Sequence, residues 1–200
     1  MKRCFILGQP NSGKTLFMIN LAEYCGLSSL ELLVTDSLGE MKTLSLCFED
    51  ARKDLVDPFP HRTLSLQHAT VPLKKGKIKI SIQMVDTVGL SDSLDHPEPV
   101  RLGMAHTLKQ IRSADIVVHI IDAPRAAVDL DVPAFVDLEL ARYASCKCPY
   151  LVLANKMDLP RASEGLAKIK ATFPSSTVLP ISALKKRGFR EVKAHLLRFI

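Results

Sequence analysis

Eight consecutive residues, Gly8-Gln9-Pro10-Asn11-Ser12-Gly13-Lys14-Thr15, carry the spacing G-x-x-x-x-G-K-[ST]. That spacing suits a loop wrapped around phosphate. Gly8 and Gly13 let backbone amides close on an anion where a side chain would block them. Gln9, Pro10, Asn11 and Ser12 form the wall of such a cradle. A helix beginning near Lys14 would aim its amino end at the same charge. Lys14 adds a point charge for outer phosphates, and Thr15 a hydroxyl for magnesium. Two more stretches follow apolar runs: Asp86-Thr87-Val88-Gly89 and Asn155-Lys156-Met157-Asp158. Asp86 ends a run of the type that carries a magnesium-associated carboxylate. The bare amide of Gly89 can meet a terminal phosphate.

These residues need elements to hold them. Residues 3–7 read as a short buried strand entering the glycine loop, with a helix after it over 14–24, closed by Gly26. Residues 64–72 and 78–85 alternate with period two around Lys74-Lys75-Gly76-Lys77, which predicts a hairpin. Helix is predicted over 100–112, 132–144, 162–172 and 187–200. Strand is predicted over 116–121, 150–154 and 177–180. His119 falls inside one of these apolar strands and reads as a core residue. Strands alternating with crossover helices imply an α/β fold with a mostly parallel, doubly wound sheet and helices on both faces. Ligands of such sheets sit beyond the carboxyl ends of the strands. All three motifs directly follow strands, so they converge there.

Whole-chain properties agree with one domain over residues 1–200. Two hundred residues bury one good core, and 47% hydrophobic with 24% charged residues is ordinary for a globular chain. No apolar run approaches the roughly 20 residues that span a bilayer. The apolar start ends at Leu7 and runs into the phosphate loop, so cleavage as a signal peptide would destroy the loop. The expectation is a cytoplasmic protein. The five cysteines lack the spacing of a four-ligand zinc site and read as reduced thiols.

The order of the three motifs resembles the G domain of P-loop GTPases, and the resemblance covers nearly the whole chain. It implies a three-layer P-loop fold that binds GTP and GDP with Mg2+ and hydrolyses GTP as a molecular switch. Asn155-Lys156-Met157-Asp158 matches the N-K-x-D base motif. Asp158 would accept from the guanine ring N–H and exocyclic amine, donors that adenine lacks on that edge. Leaving a buried polar group unpaired is costly, so the discrimination is strong. Asn155 would brace the loops and Lys156 would lie along the base. Ser182-Ala183-Leu184 resembles the last motif, in which the alanine amide meets the guanine oxygen. Phe59-Pro60-His61-Arg62-Thr63-Leu64 resembles a stretch of Obg-like GTPases, and Val100-Arg101-Leu102-Gly103-Met104-Ala105-His106 up to His119-Ile120-Ile121-Asp122 resembles that group and its tRNA-modifying relatives. The Pro10-Asn11 phosphate loop is similar to that of Obg- and Era-like members. Thr63 is the expected switch threonine on magnesium, preferred over Thr70, which falls mid-strand. Lys14, Thr63 and Asn11 are the expected catalytic residues. Thr15, Thr63 and Asp86 are the expected metal residues.

Two departures qualify the resemblance. The stretch from Lys14 to Thr63 is longer than this group leads one to expect. Within it Leu38, Met41, Leu44, Phe48, Ala51 and Leu55 recur at steps of three or four, which predicts an inserted amphipathic helix over about 36–56. Ser37 and Glu40 would form its capping box, and Asp57-Pro58 its end. Such a helix either packs on its own domain or docks a partner. Leu90 stands where Ras-like GTPases place a water-orienting glutamine. Hydrolysis should then be slow without an activator. Asn11 either shapes the loop or, as the resemblance implies, helps hold K+ beside the phosphates.

Alternatives are a nucleotide-binding scaffold with negligible turnover and, on the phosphate loop alone, an ATP-dependent small-molecule kinase. The net charge of +6 allows a polyanionic partner. Lys185, Lys186, Arg187, Arg190, Lys193 and Arg198, with Lys74, Lys75 and Lys77, are either solvated faces or a footprint for ribosomal or structured RNA. A protein activator or effector is the other partner class.

Overall fold

The structure, a computed structural model, describes residues 1–35, 39–56, 65–92 and 97–200. Among the described residues, eight strands form one sheet: β1 (Lys2–Leu7), β2 (Leu30–Thr35), β3 (Met41–Leu46), β4 (Leu66–Lys75), β5 (Ile78–Asp86), β6 (Ile116–Asp122), β7 (Tyr150–Asn155) and β8 (Thr177–Pro180). Their spatial order is β3-β2-β4-β5-β1-β6-β7-β8. The run β5-β1-β6-β7-β8 is parallel throughout. β2, β3 and β4 extend it as an antiparallel flank. The helices are α1 (Lys14–Tyr24), α2 (Phe48–Leu55), α3 (Glu98–Gln110), α4 (Ala123–Val128), α5 (Phe135–Ser145), α6 (Ala162–Thr172) and α7 (Phe189–Leu196).

Strand alternation explains why helices cover both faces. In β1, Cys4 and Ile6 join the layer of Phe17, Met18 and Leu21 from α1 and Val192 and Leu196 from α7. Phe5 and Leu7 point the other way, onto Leu140 and Ala144 of α5. The period of two puts successive side chains on opposite faces, and here both faces are buried. Each fully buried aliphatic or aromatic side chain of this kind contributes roughly 1.5–3 kcal/mol. A third cluster seats α4 and α6 against β7 through Ala123, Ala154, Ile169 and Phe173.

The predicted helix over 36–56 is corrected. Residues 41–46 form β3, paired antiparallel with β2 from Leu30↔Leu46 to Thr35↔Met41. Only 48–55 are helical. Met-Lys-Thr-Leu-Ser-Leu suits either period over so short a run, and pairing with β2 satisfies its backbone groups. Met41 and Leu44, counted on the helix's apolar face, are exposed instead, while Phe48 and Ala51 bury against α1's layer. Ser37, Asp57 and Pro58, its expected cap and stop, lie outside the described residues. Cys47 caps α2 instead, its Sγ accepting the Asp50 amide at 3.3 Å. β2 and α4 carried no sequence expectation. No helix of the described residues is long and apolar enough to cross a membrane.

Candidate functional site

β1 delivers the chain into residues 8–15 beyond the sheet's carboxyl edge. Gly8 has φ 141° and Gly13 φ 95°, values that favour glycine. Space demands glycine too. A Cβ on Gly8 would sit 2.2 Å from the Ile120 carbonyl oxygen, and one on Gly13 2.4 Å from Asn155 Nδ2. Asn11 also takes a left-handed conformation, φ 61°. Lys14 is buried, and its ammonium donates to the carbonyls of Gly8 (3.1 Å) and Gln9 (2.8 Å). It is thus held over the loop before any ligand arrives. The Thr15 hydroxyl donates to Asp86 Oδ2 at 2.6 Å. Asp86 Oδ1 is buried and has no hydrogen-bond partner among the described residues.

The charges in this cradle are out of balance. Burial pushes the Lys14 ammonium down to about 8, against the opposing pull of Asp86 and Asp137. Burial pushes the Asp86 carboxyl up to about 6, although Lys14, the Thr15 hydroxyl and the Thr87 amide favour its anion. Both groups are desolvated and lack full compensation. A phosphate and a divalent cation would supply it. The orphaned Asp86 oxygen and the neighbouring Thr15 hydroxyl fit Mg2+, which prefers oxygen ligands.

At the other end, Asn155 joins two loops. Its Nδ2 donates to the Ser12 carbonyl at 2.8 Å, and its Oδ1 accepts the Ala183 amide at 2.9 Å. Asp158 Oδ1 accepts the Ser182 hydroxyl at 2.6 Å, and Ser182 Oγ accepts the Lys185 amide at 3.0 Å. Lys156, at φ 65°, pairs with Asp122 at the end of β6, 2.5 Å apart. The residues from 8 to 15, Asp86, Asn155, Lys156, Asp158, Ser182 and Ala183 therefore lie together at one edge. Leu184 follows, exposed. Gly89 packs against the loop closely enough that a Cβ would lie 2.7 Å from the Pro10 nitrogen. The Leu90 amide donates to the Gly8 carbonyl at 3.2 Å, while its side chain is buried among Phe5, Leu7 and Val85. Thr70 lies in β4, and Thr63 lies outside the described residues.

Sequence reasoning missed a buried polar chain behind the phosphate loop. Gln9 Nε2 donates to Asp137 Oδ2 at 2.7 Å, and its Oε1 accepts from Arg125 at 3.2 Å. Asp137 Oδ1 faces His119 Nε2 at 2.9 Å, and His119 Nδ1 faces the Tyr150 hydroxyl at 2.6 Å. Burial alone would raise Asp137, but His119, Gln9 and the Ala134 amide outweigh it and hold the carboxyl below its usual range. His119 is fully buried, as expected, yet it is part of this network and not an inert core residue. One polar residue inside the apolar strand 116–121 was the available signal; its partner on α5 had none.

The sequence matches the family described as 50S ribosome-binding GTPase over residues 41–156. It is similar to the GTPase Obg of Shouchella clausii, 28% identical over 191 residues, covering 92% of this chain and 42% of that protein. It is also similar to the tRNA modification GTPase MnmE of Bordetella avium, 31% identical over 119 residues, covering 60% of this chain and 23% of that protein. The chain thus spans less than half the length of these relatives. Among solved structures, Aquifex aeolicus Era bound to GDP and AlF4- superposes with a TM-score of 0.66 at 19% identity. That match covers all of this chain and 57% of the other. Era in complex with MgGDPNP and a segment of 16S ribosomal RNA gives 0.67 at 19% identity, covering 99% and 56%. These likenesses carry the fold, a P-loop GTPase G domain of the Obg and Era type. With the motif match over residues 41–156, the chain belongs to the 50S ribosome-binding GTPase family.

Proposed function

We propose that this chain binds GTP with Mg2+, hydrolyses it to GDP and phosphate, and signals through a partner bound in one nucleotide form. The observation that carries the reading is Asn155, one side chain tied at once to the phosphate loop and to the base loop. It makes two separated motifs a single site, and N-K-x-D selects guanine over adenine. In this reading the amides of Gln9 to Thr15 and the Lys14 ammonium hold the phosphates. Thr15, Asp86 and Thr63 hold Mg2+. Asp158, Lys156, Ser182, Ala183 and Leu184 surround the base. Bound magnesium would neutralise phosphate charge; Lys14 already sits where its ammonium adds to that.

Leu90 is buried and cannot orient water. Turnover is therefore slow unless K+ held near Asn11, or a partner, supplies charge in the transition state. The test is calorimetry with GDP and ADP on the chain and on Lys14→Ala. Guanine-selective binding that Lys14→Ala abolishes without unfolding supports the reading. Equal GDP and ADP affinities overturn it and favour the kinase alternative.

For the partner we propose ribosomal or structured RNA. Net charge, the family's description and the rRNA-bound Era likeness favour it over a protein effector. The basic residues do not make one face. Lys185 and Arg187 lie beside the candidate base loop, whereas the β4–β5 turn at Gly76 and Lys77 lies at the opposite end of β5 from Asp86. Lys186 is committed to Glu23. The RNA contact is therefore assigned to the base-loop end. Lys185→Glu with Arg187→Glu should abolish salt-sensitive, GTP-dependent RNA binding, and unchanged binding would refute the assignment.

A further inference from the structure

The short helix α2, in the segment that distinguishes this chain, reaches the candidate base loop through two side chains. Arg52 Nε donates to Asn20 Oδ1 at 2.8 Å. Asn20 Nδ2, on buried α1, donates to the Ala183 carbonyl at 2.8 Å. The Arg52 guanidinium also pairs with Glu23, whose carboxylate takes Lys186 of the same loop at 2.5 Å. Lys186 adopts φ 54°, so this turn of the loop is itself strained. Phe48 and Ala51 anchor α2 in the core on the same side, with Arg52 stacked 5.9 Å above the Phe48 ring. Asn20 is 2% exposed and divides its amide between the two partners.

We infer that Arg52 is a positioning residue for guanine recognition: through Asn20 and Glu23 it fixes the loop that presents the Ala183 amide to the base. The inference rests on the guanine reading proposed above and deepens it. Ala183 has two restraints. Asn155 takes its amide from the phosphate-loop side, and Asn20 holds its carbonyl from the α1 side. Arg52 orients Asn20, because an amide whose oxygen is engaged by a guanidinium must present its nitrogen to Ala183. Without Arg52, Asn20 Oδ1 is left without this partner in a buried setting, and the amide is free to turn over. Glu23 keeps Lys186 but loses the guanidinium, so α2 is no longer joined to this loop through Glu23. The path from Arg52 to Ala183 is two hydrogen bonds long, short enough for a single substitution to be felt at the base.

The test separates the two edges of the base. Ala183 would read O6 by sharing its N–H between Asn155 Oδ1 and the base, whereas Asp158 would read the ring N–H and the 2-amino group. Calorimetry on the full chain therefore uses three probes: GDP, 6-thio-GDP, whose sulfur is a poor acceptor at that edge, and IDP, which lacks the 2-amino group. Arg52→Ala should weaken GDP by roughly 5- to 10-fold, since it leaves a buried acceptor unpaired. It should collapse the preference for GDP over 6-thio-GDP and leave the preference for GDP over IDP unchanged. Asn20→Asp keeps a partner for Arg52 but removes the donor to Ala183, and should give the same pattern. Arg52→Lys, with one point charge in place of the fork, should restore only part. A merely structural role would weaken all three nucleotides alike, and that result overturns the inference. So does a native chain indifferent to the 6-thio substitution. Asp158→Asn is the control for the parent reading, and it should collapse the GDP over IDP preference. Its failure overturns guanine recognition itself, whereas its success with an unmoved 6-thio ratio in Arg52→Ala overturns only the role of Arg52.

Discussion

Asp158 and Asp86 should both serve binding but differ in what they do to stability. Asp158 has a neutral hydroxyl partner in Ser182. Asp158→Asn should therefore leave the fold nearly unchanged while weakening GTP by about 1.5–3 kcal/mol, the cost of a lost charge-assisted pair. Affinity should move towards xanthine nucleotides, whose ring turns one donor into an acceptor. Equal GTP affinity by calorimetry would remove the assignment. Asp86 carries a carboxyl raised to about 6 in the folded chain against an ordinary value of 3.8. The folded state then holds the proton more tightly than the unfolded state. The ligand-free chain should lose stability as pH rises from about 4 to 6 and stay penalised above that. Asp86→Asn should recover on the order of 1–3 kcal/mol at pH 7 without nucleotide and lose Mg2+-dependent GTP affinity. Urea denaturation of both proteins at pH 4.5 and pH 7 checks this: a gap that does not widen with pH refutes it.

At the scale of elements, the parallel half of the fold and the β4–β5 hairpin were legible, and β2 and β3 were not. β1, β6 and β7 announce themselves as short apolar runs; the phosphate loop follows β1 and Asn155-Lys156-Met157-Asp158 begins at the end of β7, while Asp86 ends β5. The run 41–46 was misread because a three-to-four spacing of apolar residues coincides with alternation over six positions; long-range pairing with β2 decided the outcome. The single-residue turn signals Gly13 and Gly26 placed α1 correctly, since φ of 95° and 96° there require glycine. Asp137 was invisible because its value lies chiefly in two distant partners, Gln9 and His119. It supports both α5 and the phosphate loop, so Asp137→Ala should destabilise by about 3–5 kcal/mol, leaving His119, Gln9 and the Ala134 amide unpaired together. Asp137→Asn keeps one acceptor and should cost less. Thermal melts that rank the two variants equally would argue against a shared network.

Across the whole molecule, the sequence conveyed the kind of site far better than what triggers it. The converging motifs are local strings at strand ends, so spacing revealed them. Leu90 is buried, and no string in the sequence names a group that would orient water in its place. We expect GTP hydrolysis to be slow in sodium and faster in potassium, with Asn11→Ala removing the difference. Phosphate release measured in the two salts decides it. Identical rates would leave a partner as the source of the missing charge.

The sheet order also sets a timetable for synthesis. β1 lies in the middle of the sheet, yet Lys2 meets Ile82 of β5 and Cys4 meets Ile116 of β6. While a ribosome makes the chain, the β2–β3 hairpin can close at once, but β1 must wait for both neighbours. At roughly 5–20 residues per second the wait for β5 alone is on the order of 4–16 s. During that interval Phe5, Ile6 and Leu7, fully buried in the finished protein, have no sheet to enter. The nascent phosphate loop stays unformed for as long, because its floor at Ile120 arrives later still. The strand that leads into the phosphate loop therefore spends that interval with its apolar residues exposed.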